Sequence, residues 1–260
     1  MDIWTLSKGA AAVTPIGGEL VRIVESQEQI ATNQLVDSLE EQALLEQLLE
    51  QGKPTLPGGD RVRHYLLSTP FRYPPLRHGS RFGQRHEPGI FYGAATVATA
   101  LAETAYYRFA FWAGMRVPPR SGALTTAHTA FAAAYAASAG VRLQAPPFDR
   151  FTMELRRPDS YAATQALGTR LREEGVLAFE FASARDPGGG INVALFRAQA
   201  LASTQPGWQQ PWLCETRPDR VTFFSSVPGQ GGVGTGTAPG TVRHPLDDFL
   251  VDGRLPLPAM

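Results

Sequence analysis

Segments that predict strands and segments that predict helices follow one another along this 260-residue chain without regular alternation. A doubly wound parallel sheet needs a helix after nearly every strand, and that order is missing here. Three glycines at 188–190 precede a predicted strand, whereas the glycines of a dinucleotide-binding turn precede a helix. Tight hairpin signals are few. The sequence therefore predicts an α+β fold with mixed or antiparallel sheets and flanking helices.

Hydrophobic periodicity, capping residues and turn residues locate the individual elements. Helices are predicted over 26–51, from a cap at Thr96 to about Trp112, and over 160–174. Strands are predicted over 64–68, 89–92, 123–133, 176–181, 191–196, 212–215 and 220–226. Residues 69–79 are rich in proline and arginine, which predicts an irregular loop.

Three segments follow from this pattern: an N-terminal helical arm over 1–59, a core over 60–226, and a Gly-rich loop with a C-terminal tail over 227–260. Leucines recur at helical spacing in the arm, so it packs on the core or forms a surface for a second copy of the chain or for another protein. We expect a homo-oligomer. The glycine-rich stretch at 228–241 predicts a mobile loop.

Composition excludes several classes of function. Lys plus Arg and Asp plus Glu both number 24, and this balance argues against direct binding of nucleic acid, which needs a basic excess. No stretch is long and apolar enough to predict a membrane span, and no N-terminal signal is predicted, so we expect a cytoplasmic protein. The single cysteine, Cys214, rules out a disulfide within the chain. No pair of histidines has metal-ligand spacing, so no metal site is predicted.

The most informative stretch for function lies at 71–112. It carries a basic cluster, then a short apolar run ending in Tyr92, then a predicted helix with one carboxylate, Glu103; the cluster is Arg72, Arg77, Arg81 and Arg85. Arginine binds phosphate through a planar fork of donors, and an aromatic ring stacks on a flat ligand. This order of cation, aromatic ring and acid suits a phosphate-bearing ligand with a cleavable glycosidic bond.

Each candidate residue also has a plainer interpretation. Arg81 and Arg85 bind phosphate or are solvated, and Tyr92 stacks on a ligand or belongs to the core. Glu103 stabilises positive charge on a sugar, binds a ribose hydroxyl or faces solvent. Ser183 opens the loop SARDPGGG and either orients the carboxylate, contacts a ligand or bonds its own turn. The backbone amides of that loop are also candidates for an anion-binding nest.

Three motifs resemble the RES domain family: GSRFGQRHEPGIFYGA, ALAETAYYRF and FASARDPGGGINVALF. The arginine, glutamate and serine for which the family is named correspond to Arg81, Glu103 and Ser183. The resemblance extends over roughly residues 20–225 and includes a longer subgroup with an N-terminal helical arm. The loop between the arginine and Tyr92 differs from the shorter, tryptophan-containing version common in the family. Either Arg81 or Arg85 is therefore the phosphate ligand.

The resemblance implies a fold similar to ADP-ribosyltransferases and a toxin neutralised by an Xre-type antitoxin. It implies that NAD is the substrate, cleaved between nicotinamide and ribose, with no further cofactor. By the same resemblance an arginine holds phosphate, Tyr92 lies near nicotinamide and Glu103 supports the ribose. Three functions stay open: an NAD-consuming toxin that uses water or phosphate, a protein ADP-ribosyltransferase, and a catalytically inert interaction module.

Overall fold

The computed structural model of the chain describes residues 1–26, 63–73, 77–227 and 240–257, with scattered positions between 38 and 52. The strands are β1 Thr14–Glu25, β2 Phe91–Ala94, β3 Leu124–Arg142, β4 Ala178–Ala182, β5 Ile191–Leu195, β6 Gln209–Thr216, β7 Arg220–Ser225 and β8 Gly240–Pro245. The helices are α1 Ile3–Leu6, α2 Tyr65–Arg72, α3 Val97–Ala113, α4 Thr152–Leu155 and α5 Ala162–Glu173. Short 3-10 turns lie at Gly9–Ala12, Asp149–Phe151, Ala198–Ala200 and Leu246–Phe249.

The eight strands form one mixed sheet in the order β1-β2-β5-β4-β3-β6-β7-β8, and β1 also pairs with β3. The extra pairing closes a ring of five strands, β1, β2, β5, β4 and β3, from which β6, β7 and β8 continue outward. Only β3 and β4 run parallel, while the other pairs are antiparallel. The α+β prediction with a mixed sheet is confirmed.

Strand β3 is the longest element and connects the two parts of the sheet. One of its edges pairs with β1, whereas its other edge is shared by β6 and β4. The strand predicted at 123–133 continues to Arg142. Alanine has a low strand propensity, so the alanine-rich continuation is not predicted as strand. It forms a strand because it pairs with β1.

Helix α3 has the boundaries that its capping residue predicts. Thr96 adopts an extended conformation and its hydroxyl accepts the Thr99 amide, which is N-cap geometry. The helix buries Leu101, Tyr106 and Phe109 against the sheet, where they join the core around Val21 and Phe223. The face that carries Glu103 is left at the edge of that core.

The strand predicted at 64–68 is wrong, because this segment forms helix α2. The His64 ring accepts the Leu66 amide and starts the helix, and Pro70 is its only interior proline. Leu66, Leu67 and Phe71 bury one face, so a short apolar run that suits a strand forms a helix. The loop predicted at 69–79 begins after Arg72.

The three predicted segments do not separate in the sheet. Strand β1 lies within 1–59 yet pairs along β3, and strand β8 lies within 227–260 yet pairs with β7. Most of the predicted helix at 26–51 and residues 228–239 of the Gly-rich stretch lie outside the described residues. Within the described part of the chain, no helix combines the length and apolar character needed to cross a membrane.

Candidate functional site

A cavity of about 300 Å³ lies between β1, β2, α3 and the loop that precedes β2. Both polar and apolar side chains line it: Val21, Arg22, Ile23, Ser80, Arg81, Tyr92, Gly93, Ala94, Ala100, Glu103, Thr104, Tyr107, Phe181 and Asn192. A concave site with a few convergent polar groups is the usual form of a small-molecule site. Three of the predicted site residues, Arg81, Tyr92 and Glu103, therefore meet in one place.

Glu103 is held through one carboxylate oxygen. Ser183 Oγ and Asn192 Nδ2 each donate a hydrogen bond of 2.6 Å to Oε1. Within the described residues, no group donates to the second oxygen, Oε2. Both donors are neutral, and no described cation forms a salt bridge with the carboxylate. The arrangement fixes the rotamer of Glu103 and leaves Oε2 available to a ligand.

Ser183 is a positioning residue. It is fully buried and does not line the cavity. While its hydroxyl donates to Glu103, the same oxygen accepts the Arg185 and Asp186 amides at 3.1 and 2.9 Å. The sequence left two roles for Ser183 as alternatives, and the structure shows both: it orients the Glu103 carboxylate and bonds its own turn.

The loop after Ser183 has no backbone amides arranged for an anion. Asp186 accepts the Gly188 and Gly190 amides through its carboxylate and the Gly189 amide through its carbonyl. Thr99 also donates to Asp186 at 2.8 Å, which ties the loop to the start of α3. The amides that an anion nest would need are bonded within the loop. The interpretation of this loop as a nest is therefore wrong.

Arg81 lines the cavity and is 8% exposed. Its Nη1 donates to the Leu155 and Arg157 carbonyls at 3.3 and 3.1 Å, and its guanidinium lies 4.7 Å from the Tyr161 ring centre. Its Nη2 is buried and has no hydrogen-bond acceptor among the described residues. No carboxylate in the described chain pairs with it.

Arg85 has a different environment, because its side chain is exposed and does not line the cavity. Of the two arginines that the sequence left as alternatives, the structure brings only Arg81 to Tyr92 and Glu103. Arg85 belongs to the outer part of the loop, beyond the turn in which Ser80 and Gly83 bond each other.

The loop that carries Arg81 is fixed by helix α5. Gln165 Nε2 lies 3.0–3.4 Å from three loop carbonyls, those of His78, Ser80 and Gly83. At Gly168 a Cβ atom would lie 1.8 Å from the Phe82 carbonyl oxygen, so only glycine permits this approach of helix and loop. The position of Arg81 thus depends on contacts from a helix more than 80 residues away in sequence.

Tyr92 holds the loop that carries Arg81. Its hydroxyl lies 2.9 Å from Ser80 Oγ and accepts the Phe82 amide at 3.1 Å, so it holds the residues on either side of Arg81. Burial raises the pKa of Tyr92 to about 12, and the hydroxyl stays protonated. The ring lines the cavity, but the hydroxyl is already bonded within the protein.

Two residues at the cavity were missed by the sequence interpretation. Arg22 on β1 lines the cavity and donates through Nη1 to the Tyr92 carbonyl at 2.8 Å. Burial lowers its pKa to about 10, which leaves it charged at neutral pH, and no described carboxylate pairs with it. Asn192 on β5 is 5% exposed, and its Oδ1 has no hydrogen-bond donor among the described residues.

A signal for both residues exists in the sequence. Arg22 interrupts an apolar run, LVRIV, and Asn192 interrupts INVALF. A polar side chain inside a buried strand needs a partner or a ligand. The strand at 191–196 is predicted correctly, but Asn192 is not singled out within it. Arg22 falls in the segment 1–59, which the sequence predicts to be a helical arm.

The cavity lining therefore combines one carboxylate with two guanidiniums. Glu103 provides the anion, whereas Arg22 and Arg81 provide cations that lack a carboxylate partner in the described chain. Such a site can hold a doubly charged ligand and stabilise positive charge next to Glu103. No three His, Cys, Asp or Glu side chains of the described residues are grouped to hold a metal ion.

Among solved structures, a chain of the crystal structure of the M. tuberculosis MbcT–MbcA toxin–antitoxin complex is similar at 11% identity and a TM-score of 0.47, over 84% of this chain and 94% of that one. No curated protein sequence matches the chain. The model of the RES domain matches residues 60–216, more than half of the chain. The protein is therefore a member of the RES domain family.

Proposed function

We propose that this protein is the toxin of a toxin–antitoxin pair and that it cleaves the nicotinamide–ribose bond of NAD. One observation carries the proposal: a carboxylate held through one oxygen and two guanidiniums without carboxylate partners line the same cavity. Membership of the RES domain family supports it, because that resemblance implies an NAD-consuming toxin.

The two arginines favour a diphosphate. A buried cation without an anion is costly, and an anionic ligand relieves that cost when it binds. Arg22 and Arg81 both lack a carboxylate among the described residues, and each is fixed by backbone carbonyls. A diphosphate brings two adjacent negative groups, which matches two fixed guanidiniums on one cavity.

Glu103 would act on the sugar. When the bond between the ribose C1′ and the nicotinamide nitrogen breaks, its electron pair leaves with nicotinamide and positive charge develops on the ribose ring. A carboxylate whose Oε2 has no donor among the described residues can stabilise that charge or accept a ribose hydroxyl. Ser183 and Asn192 keep the carboxylate in place during this step.

The acceptor completes the reaction. Water or phosphate would attack C1′ and yield ADP-ribose or its 1-phosphate. A protein side chain would yield an ADP-ribosylated target. Tyr107 lines the cavity and is 55% exposed, so the cavity reaches the surface beside it. An opening at the surface admits each of these acceptors, so the products of the reaction identify the one that is used.

Incubation of the purified chain with NAD, with and without phosphate, tests the proposal. We expect release of nicotinamide together with ADP-ribose or its phosphorylated product, identified by mass spectrometry. A Glu103→Gln variant should lose the reaction, whereas Glu173→Gln, the same change at an exposed carboxylate, should keep it. No release of nicotinamide by the folded wild-type chain would reject the proposal.

Expression of the wild type and of Glu103→Ala in cells tests the role as a toxin. We expect wild-type expression to arrest growth while cellular NAD falls, with neither effect for Glu103→Ala at equal abundance. Coexpression of an Xre-type antitoxin should restore growth. Arrest at constant NAD would instead favour ADP-ribosylation of a target. Equal harm from Glu103→Ala would favour an interaction module.

A further inference from the structure

The outer strands of the sheet have one buried face and one exposed face. Toward α3, strands β6 and β7 bury Trp212, Cys214 and Phe223 in the core. Side chains alternate along a strand, so the residues between these point the other way. There Leu213 pairs with Phe224 across the two strands, and the two side chains are 51% and 45% exposed. Two adjoining exposed hydrophobic side chains form a patch, which is typical of a contact surface.

The patch belongs to a row of residues that pair across four strands. Ala127 of β3 pairs with Leu213, and Thr241 of β8 pairs with Phe224. Ala127 and Thr241 are exposed as well. We call these four residues the outer row. Strands lie about 4.8 Å apart, so the outer row is about 14 Å long, which is the length of roughly ten residues of an α-helix.

The next row on the same face carries a positive charge. Thr222 pairs with Arg243 on one side and with Glu215 on the other. Glu215 binds Arg217 at 2.8 Å, and Arg243 is exposed and forms no salt bridge within the described part of the chain. Two residues along a strand cover about 7 Å, so this cation lies about 7 Å from the outer row.

A helical segment of the same chain has a complementary surface. Residues 40, 41, 44, 45 and 48 are helical, and the Leu44 and Leu48 side chains are 56% and 54% exposed. Residues four apart share one face of a helix, so Glu40, Leu44 and Leu48 form a stripe. The exposed Glu40 precedes Leu44 by one turn, about 6 Å. An acid therefore precedes the leucines at about the spacing that separates Arg243 from the outer row.

We propose that the stripe of one copy of this chain packs on the outer row of a second copy, with Glu40 at Arg243. Leucines of the stripe and hydrophobic residues of the outer row are both exposed in the single chain, so a contact within one copy does not cover them. In a two-fold dimer each copy gives its stripe to the other, and two equal contacts form. None of these residues lines the Glu103 cavity, so the contact is independent of the reaction proposed above.

Sedimentation equilibrium tests the dimer. The wild type should have twice the mass of the 28.1 kDa chain. Leu213→Thr combined with Phe224→Thr should keep the strands, because threonine suits them, and should weaken the dimer about tenfold or more, as loss of a hot spot does. Val117→Thr, at a side chain that is 85% exposed, is the matched control and should change nothing. A wild type that is monomeric at every concentration would assign the patch to a different protein and overturn the proposal, as would an unchanged dissociation constant in the double variant.

Cross-linking identifies the copy that provides the stripe. The single native cysteine, Cys214, is buried, so only introduced cysteines should react. A mixture of Leu44→Cys chains and Phe224→Cys chains should give, on oxidation, a two-chain product in which peptide mapping joins the two introduced cysteines. Val117→Cys in place of Phe224→Cys should give little of it. A disulfide that forms only within one chain of the Leu44→Cys, Phe224→Cys double variant would mean that the stripe packs on its own sheet, and the proposal would fail.

Exchange of charges tests the register of the contact. Glu40→Lys places a cation at Arg243 and should weaken the dimer about fivefold, the scale of an exposed ion pair. Adding Arg243→Glu to the same chain should restore the affinity, because each copy then carries both changes. Glu173→Lys, at another exposed carboxylate, should leave the dimer intact. Failure of Arg243→Glu to restore the affinity would show that the two residues do not meet, and would overturn the pairing on which the proposed dimer depends.

Discussion

Replacement of Glu103 by glutamine isolates the charge of the carboxylate from its geometry. A glutamine oxygen at the position of Oε1 can accept Ser183 and Asn192 as the carboxylate does, at 2.6 Å each. The amide nitrogen then takes the place of Oε2. The variant should keep the shape of the cavity and lose only its negative charge.

The structure allows the size of the effect to be estimated. Two full charges 4 Å apart interact by about 4 kcal/mol at an effective dielectric constant of about 20. The ribose carries only part of a full charge in the transition state, so roughly 2–4 kcal/mol should be lost. This corresponds to a kcat that is about 30- to 1,000-fold lower. The free energy of unfolding should change by less than about 2 kcal/mol, because both hydrogen bonds persist in neutral form.

Release of nicotinamide, followed by chromatography at saturating NAD, measures kcat, and urea unfolding measures stability. Glu173→Gln is the matched control, since it makes the same chemical change at an exposed site on α5. Turnover by a folded Glu103→Gln protein within a factor of three of the wild type would refute the electrostatic role of Glu103.

Three further outcomes are expected. Arg81→Ala should raise KM for NAD at least as strongly as it lowers kcat, with incomplete rescue by lysine, whereas Arg85→Ala should behave as the wild type in the same steady-state assay. Tyr92→Phe deprives the Phe82 amide of its acceptor, so kcat/KM should fall about tenfold and unfolding should become about 1–2 kcal/mol easier, measured by kinetics and urea titration. Burial, aided by Arg108, lowers the pKa of His128 from 6.5 to about 4, so the unfolded chain binds the proton first and stability falls as pH drops from 6.5 to 4; His128→Asn should flatten that fall in urea midpoints measured across this range.

Local signals predicted the part of the site that lies close together in sequence. Thr96 capped α3 as expected, and this placed Glu103 on the face that lines the cavity. The turn chemistry around Ser183 also predicted a serine bonded within its own loop, as the structure has it. Such features depend on residues within a few positions, so a single sequence contains them.

Long-range contacts could not be predicted in the same way. Arg22 reaches the cavity because β1 pairs with β3 more than 100 residues later, and no local pattern encodes that pairing. The choice between Arg81 and Arg85 likewise depends on Gln165 and Gly168, which press on one side of the loop. The residues of the loop itself do not show which arginine faces the cavity, because the packing of α5 against the loop decides it.

The distribution of cavity residues along the chain limits when the cavity can form during synthesis. The cavity draws on Val21 at one end and on Asn192 at the other, so it is incomplete until β5 has left the ribosome. At 5–20 residues per second, the interval between the synthesis of these two residues is on the order of 10 s or more. Truncated products that stop before β5 lack Asn192, one of the two donors that hold Glu103, and should be inactive. Under the proposed function, activity can therefore begin only after β5 has been synthesised, whichever residues of the cavity were made first.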